Sequence, residues 1–257
     1  MNRHVARKRF GQHFLVDARV IGAIIDAVAP RRDDIVVEIG PGLGALTAPL
    51  LHRLDHLHAV EIDRDIVARL RRRFPSDRLS VHAGDALLFD FGRLAVAEGK
   101  LRIVGNLPYN ISTPLLFRLE RFAGCVRDLH FMLQKEVAER LVATPKSADY
   151  GRLSVLLQYR FVMDRLLDAP PESFEPAPKV DSAVIRLIPR DPVQPAARDE
   201  ARFALLVAAA FSQRRKMLRN TLKGLVDEAE LECLDIAPTA RAEELSVADY
   251  VRLANGG

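Results

Sequence analysis

The chain has little sulfur: Cys125 and Cys233 are its only cysteines, and neither has a close Cys or His partner at zinc-like spacing. Neither a disulfide framework nor a structural metal is therefore indicated, and reduced thiols fit a cytoplasmic setting. Long apolar runs are also missing. No stretch reaches the length of a membrane span, and no apolar signal core follows the basic start. There is no internal repeat and no low-complexity tract, and no His–Asp or paired-carboxylate signature that would demand acid–base hydrolysis. His52, His56 and His58 do cluster, but they straddle a helix end and a strand start, which reads as surface chemistry and not as a metal site. The charge balance is not extreme. A formal charge of +4 and a pI near 9.3 are compatible with a polyanionic partner without specifying one.

What is present begins with size and alternation. At 257 residues and 49% hydrophobic, the chain can bury a full core and is long enough for one domain plus a smaller one. Val20 to Val28 reads as a leading helix, and apolar runs at 35–39, 57–61, 79–82 and 101–104 alternate with helical patterns at 43–53 and 64–74. Such alternation predicts a parallel sheet with helices on both faces. Ser112 can cap a helix that Pro114 enters near its first turn, Val126 to Leu133 is a further strand, and Lys135 to Val142 and Gly151 to Tyr159 are helical. Phe161 to Leu167 and Ala183 to Ile188 flank a proline-rich loop as a closing pair of strands. Pro189, Pro192 and Pro195 mark a linker, beyond which Arg202 to Leu225 is helix-rich and Ser246 to Asp249 resembles a capping box. The expected organisation is a catalytic domain over 1–189, with a basic motif at 1–19, a linker at 190–199 and a small helical domain at 200–257.

Four of the strand ends carry chemistry. The first leads into Glu38-Ile39-Gly40-Pro41-Gly42-Leu43-Gly44-Ala45, a strand–glycine turn–helix arrangement that lets backbone approach a nucleotide-like ligand closely. The second ends at Glu61, where an acid can accept from both hydroxyls of a ribose, and the third at Gly84-Asp85, where Asp85 can accept from the amino group of an adenine. The fourth ends in Asn106-Leu107-Pro108-Tyr109. An amide oxygen and a backbone carbonyl can each accept a hydrogen from an exocyclic NH2, proline holds the turn without a donor of its own, and tyrosine offers a face for stacking. In an open parallel sheet ligands lie outside the carboxyl ends of the strands, so all four groups would line one crevice. A dinucleotide-dependent oxidoreductase would leave the tetrapeptide idle. An S-adenosylmethionine enzyme that methylates an amino-bearing base would use all four ends.

Read together, these residues resemble the ribosomal RNA adenine N6-dimethyltransferases, in particular the bacterial enzymes that act on small-subunit RNA. The resemblance runs through Arg7-Lys8-Arg9-Phe10-Gly11-Gln12-His13-Phe14-Leu15, the glycine motif, Asn106 to Tyr109, Phe174-Glu175-Pro176-Ala177-Pro178-Lys179-Val180-Asp181-Ser182, Phe211 to Asn220 and Arg241-Ala242-Glu243. His13 and Ser212 stand where many relatives have Asn. Because the family-like motif already begins at Arg7, little chain is left for a removable leader.

The resemblance implies an α/β fold, a Rossmann-like seven-stranded class I methyltransferase sheet with a small C-terminal all-helical domain. It implies S-adenosylmethionine as cofactor and dimethylation of two adjacent adenines near the 3′ end of 16S ribosomal RNA. His13, Leu15, Gly40, Gly42, Glu61, Asp85 and Asn106 would then contact the cofactor, and Asn106, Leu107, Pro108 and Tyr109 would hold the reacting amino group. Phe174 and Pro176 could press the other face of the base, although core packing of Phe174 explains that residue equally well. Arg214, Arg215, Lys216 and Arg219 fit phosphates better than a merely solvated face. The implied partner is small-subunit RNA within a pre-30S particle, with a cytoplasmic monomer and neither membrane nor metal. A large-subunit adenine methyltransferase and a non-catalytic ribosome-assembly factor on the same fold remain as alternatives.

Overall fold

Apolar runs that are continuous and not alternating belong in a sheet covered on both faces, and that is where the chain puts them. The computed structural model describes residues 12–95 and 100–256. A seven-stranded sheet is built from β2 (Val36–Ile39), β3 (Leu57–Glu61), β4 (Leu79–Ala83), β5 (Leu101–Asn106), β6 (Val126–Gln134), β7 (Phe161–Ala169) and β9 (Ser182–Pro189), in the order β4-β3-β2-β5-β6-β9-β7. Strands β2 to β6 pair parallel, and β9 joins β6 antiparallel. Val36, Leu57, Ala59, Leu101, Ile103, Leu129 and Phe131 are all fully buried. The direction of winding reverses between β2 and β5, which opens a crevice at their carboxyl ends.

Helices α1 (Ala18–Val28), α2 (Thr47–Arg53), α3 (Arg64–Arg73) and α4 (Ser112–Glu120) connect or flank these strands. Asp17 and Asp63 cap α1 and α3 by accepting from backbone N–H groups of the first turn. Helix α2 starts at Thr47 and not near residue 43, because Gly40, Gly42 and Gly44 all take positive φ (66°, 54° and 88°) and hold the chain in turns up to Leu46. One element has no counterpart in the sequence pattern. Strand β1 (Phe14–Leu15) pairs antiparallel with β8 (Phe174–Glu175), which ties the N-terminal segment to the proline-rich loop.

A second compact unit comprises Glu139–Met163 and the chain from Arg190 onward. The expected boundary at 189 and 190 therefore marks only the last crossing. Residues 139–163 depart from it because Tyr150, Val155 and Tyr159, the last two on α6 (Arg152–Arg160), bury their side chains with Phe203, Leu206, Leu218 and Tyr250. The preceding α5 (Lys135–Val142) leads into this unit, and residues 190–199 are irregular. Beyond them come α7 (Glu200–Ala210), α8 (Leu218–Thr221), α9 (Glu228–Cys233) and α10 (Val247–Asn255), the last opened by a Ser246–Asp249 capping box. No described helix is long and apolar enough to cross a membrane.

Candidate active site

A cavity of about 610 Å³ opens at the carboxyl ends of β2, β3, β4 and β5, and it is lined by Gly40, Gly42, Glu61, Asp85 and the whole of Asn106 to Tyr109. Backbone closeness shapes its floor. A Cβ on Gly105 would lie 2.5 Å from the Ile39 carbonyl, so only glycine lets β5 approach β2 this tightly. Gly40 N donates to the Val60 carbonyl at 3.0 Å, and a Cβ on Gly42 would meet the Phe14 ring at 3.1 Å.

The acids arrive one per strand. Glu61 is 6% exposed; its Oε1 accepts from Asp63 N at 2.9 Å and its Oε2 from Gly42 N at 3.4 Å. Burial pushes its pKa up, against the lowering effect of those N–H groups. Asp85 turns one carboxylate oxygen back to Leu87 N at 2.9 Å. Glu38, on β2, was not expected to be a site residue, yet it lines the same cavity at 2% exposure. It accepts from Thr47 Oγ1 at 2.6 Å, and burial, with the charge of Glu61 adding to it, pushes its carboxyl up to about 7. The available signal was an acid inside an otherwise apolar strand, just before the glycines. Against these three acids the lining has one arginine among the described residues, Arg73, which donates to the Leu43 carbonyl. A cavity of that charge suits a ligand with positive charge.

At the fourth strand end the hydrogen bonds sort donors from acceptors. Asn106 Nδ2 donates to the His13 carbonyl at 2.9 Å, which turns Oδ1 the other way. Neither Oδ1 nor the Leu107 carbonyl accepts a hydrogen bond among the described residues. Leu107 N is taken by the Met132 carbonyl at 3.1 Å, and the Pro108 carbonyl accepts from Ser112 Oγ at 3.1 Å. Tyr109 Oη lies 2.7 Å from Ser182 Oγ, and its ring stacks on His13 with centroids 5.7 Å apart and planes inclined by 23°. His13 Nδ1–H donates to the Pro176 carbonyl at 2.7 Å.

A model of the ribosomal RNA adenine dimethylases matches residues 3–256. The chain belongs to this family. Ribosomal RNA small subunit methyltransferase A of Chromobacterium violaceum is 63% identical over 255 residues, which cover 99% of this chain and 97% of that one. The protein of the same name from Thiobacillus denitrificans is 63% identical over 247 residues, 96% of each chain. Among solved structures, a dimethyladenosine transferase from Plasmodium falciparum superposes with a TM-score of 0.82 at 27% identity, covering 94% of this chain and 96% of that one. The 23S rRNA methyltransferase ErmE gives 0.73 at 25% identity, covering 95% and 98%. The sheet is thus the Rossmann-like methyltransferase sheet, and S-adenosylmethionine is the methyl donor of this adenine dimethylase.

Several expected contacts of the dimethylase fall elsewhere. Phe174 is 4% exposed, packs in the core of the first unit opposite Leu15, and does not line the cavity. Pairing with β1 buries its ring in that core, the reading the sequence left open beside a contact with the base. Pro176 likewise stays off the cavity and meets the His13 ring through its carbonyl. Of the basic residues in the second unit, Arg214 pairs with Glu243 at 2.8 Å and also donates to the Ala148 carbonyl, and Arg219 lies 3.8 Å from Glu228. Arg215 and Lys216 are exposed and make no ion pair among the described residues. His13 and Leu15 do line the cavity, whereas Arg3 to Arg9 lie outside the described residues. Of the histidine cluster, His52 is exposed and His56 and His58 are half-buried: His58 Nδ1 sits 3.2 Å from His82 Nε2, and burial lowers its pKa to about 4. No cluster of three or more His, Cys, Asp or Glu that could hold a metal occurs among the described residues.

Proposed function

We propose that this chain transfers methyl groups from S-adenosylmethionine to the N6 amino groups of two adjacent adenines near the 3′ end of small-subunit ribosomal RNA, giving N6,N6-dimethyladenosines. The observation that carries the reading is the pair of open acceptors, Asn106 Oδ1 and the Leu107 carbonyl, on the wall of a cavity lined by Glu38, Glu61 and Asp85. Glu61 and Asp85 would hold the donor's ribose and adenine, the glycine turn would admit its backbone-contacting part, and His13 and Leu15 would cover the entrance. When bound, the donor supplies an electrophilic methyl group on a sulfonium.

Adenine's amino lone pair is spread into the ring, which makes that nitrogen a poor nucleophile. Accepting its two N–H hydrogens at Asn106 Oδ1 and at the Leu107 carbonyl favours the pyramidal nitrogen in which the lone pair localises. Stacking on Tyr109 fixes the angle of approach. The methylated ammonium is acidic and gives its proton to water, so no strong general base is required. A base in duplex RNA lies within the stack, and the enzyme therefore takes an unpaired or extruded adenine. Of the four basic residues Arg214, Arg215, Lys216 and Arg219, Arg215 and Lys216 make no ion pair among the described residues and would meet phosphates, each adding salt-dependent affinity without base selectivity. The RNA would be met within a pre-30S particle, in the cytoplasm, by a monomer.

Incubation with unmethylated small ribosomal subunits and labelled donor tests this reading. Label is expected on two adjacent adenines; label on large-subunit RNA, or a chain that binds subunits without turnover, overturns it. Asn106→Ala should cut kcat by about a hundredfold or more while donor affinity stays within about threefold. Unchanged turnover would remove the role assigned to that amide.

A further inference from the structure

The loop from Phe174 to Ser182 carries one of the chain's most distinctive sequences, yet no side chain of Phe174 or Pro176 reaches the cavity. Its contacts go to the tetrapeptide instead, from both ends. At one end the Pro176 carbonyl holds the His13 ring at 2.7 Å, and the His13 carbonyl in turn holds Asn106 Nδ2 at 2.9 Å. At the other end Ser182 Oγ lies 2.7 Å from Tyr109 Oη. Ser182 is fully buried and sits at the first position of β9, opposite Gln134 of β6, so its backbone is fixed by the sheet ladder and its side chain has little room to turn. The hydroxyl is therefore a stationary point at the edge of the tyrosine ring.

Stacking on a base needs the ring of Tyr109 and not its hydroxyl. Burying that hydroxyl costs free energy that the bond to Ser182 offsets, which leaves orientation as what the pair contributes. Orientation matters unequally in the two transfers to one nitrogen. In each, a bond forms between N6 and the methyl carbon, the carbon–sulfur bond of the donor breaks, and N6 loses one proton to water. Before the first transfer N6 has two hydrogens for the two acceptors. Afterwards it has one, so the grip on the nitrogen is halved and the stack must hold the angle.

We propose that Ser182 is a positioning residue for methyl transfer, locking the plane of the Tyr109 ring so that the monomethylated base keeps the angle needed for the second methyl group. This rests on the function proposed above. Ser182→Ala and Tyr109→Phe remove the same hydrogen bond from opposite ends, and both are compared with the wild-type chain on unmethylated small subunits, with mono- and dimethyladenosine quantified separately. Each single variant is expected to slow the second transfer about tenfold, so that monomethyladenosine accumulates, while KM for the subunit and donor affinity stay within about twofold. The double variant is expected to be no slower than either single one. Losses that multiply in the double variant, or a Ser182→Ala chain that yields only dimethyladenosine at the wild-type rate, overturn the inference. Should Ser182→Ala fail to fold, Tyr109→Phe alone decides by the same product ratio. A wild-type chain that leaves adenine unmethylated overturns the functional reading and this inference with it, whereas an active wild type with an indifferent Ser182 overturns the inference alone.

Discussion

Glu38 is a carboxyl taken almost wholly out of water, with one hydroxyl donor and a second acid for company. Its pKa rises from the ordinary 4.5 to about 7, chiefly through burial. Between those values the folded chain keeps a proton that the unfolded chain releases. The stabilising contribution is therefore complete below the unfolded value and is lost as pH climbs through about 7, by an amount of about 3 kcal/mol at most. Glu38→Gln, neutral at every pH, should show a melting temperature that depends less on pH between about 5 and 8 than the wild type does. An identical slope in thermal scans of the two chains would show that the proton sits elsewhere. Glu61, Asp85 and Asn106 were legible as lining one crevice because each lies at or just past the carboxyl end of a strand, and those ends share a crevice in a parallel sheet. Glu38 was not, since a residue inside a strand gives no sign of which side its carboxyl faces. Phe174 was open between core and site for the same reason, and its pairing with Leu15 settles it in the core.

At the level of elements, Gly105 is where two strands meet too closely for any side chain. A Cβ there would stand 2.5 Å from the Ile39 carbonyl, and backbone cannot swing aside as a side chain can. Gly105→Ala should cost about 1–3 kcal/mol and weaken donor binding with it, because β2 and β5 carry Gly40 and Asn106 into the same cavity. Chemical denaturation of both chains checks this, and an undiminished midpoint would mean that the sheet can open at that point without penalty. The strands and most helices could be read from periodicity, with α2 shortened because three glycines at positive φ extend the turn before it. The β1–β8 pair could not. A two-residue strand has no period, and its partner lies far along the chain, so only the folded loop brings Phe14 opposite Glu175.

For the whole molecule the question is how an enzyme with a small-base site holds a large polyanion. The charge total says little, and the distribution of ion pairs says more. Arg214 and Arg219 have carboxylates beside them, while Arg215 and Lys216 have none among the described residues. Reversing both to Glu should weaken subunit binding and lower the slope of log affinity against log salt by about one for each phosphate that is no longer neutralised, without changing donor affinity. Binding measured across a salt series checks this; an unaltered slope would move the RNA-binding surface to another face. The proline-rich segment marks one crossing between the two units, whereas at 139–163 α6, earlier in the chain, buries Val155 and Tyr159 with side chains of α7 and α10. The order of apolar runs, glycines and strand-end acids by itself determined the parallel sheet, the crevice and the chemistry that fits it, because these depend on patterns within short stretches of chain. Only the tertiary structure decided that Asn106 presents its oxygen, that burial raises the Glu38 carboxyl and that the proline-rich loop holds His13 and Tyr109 beside the tetrapeptide. Each of those depends on a partner distant in sequence, and a hydrogen bond or a buried charge exists only once both groups are in place.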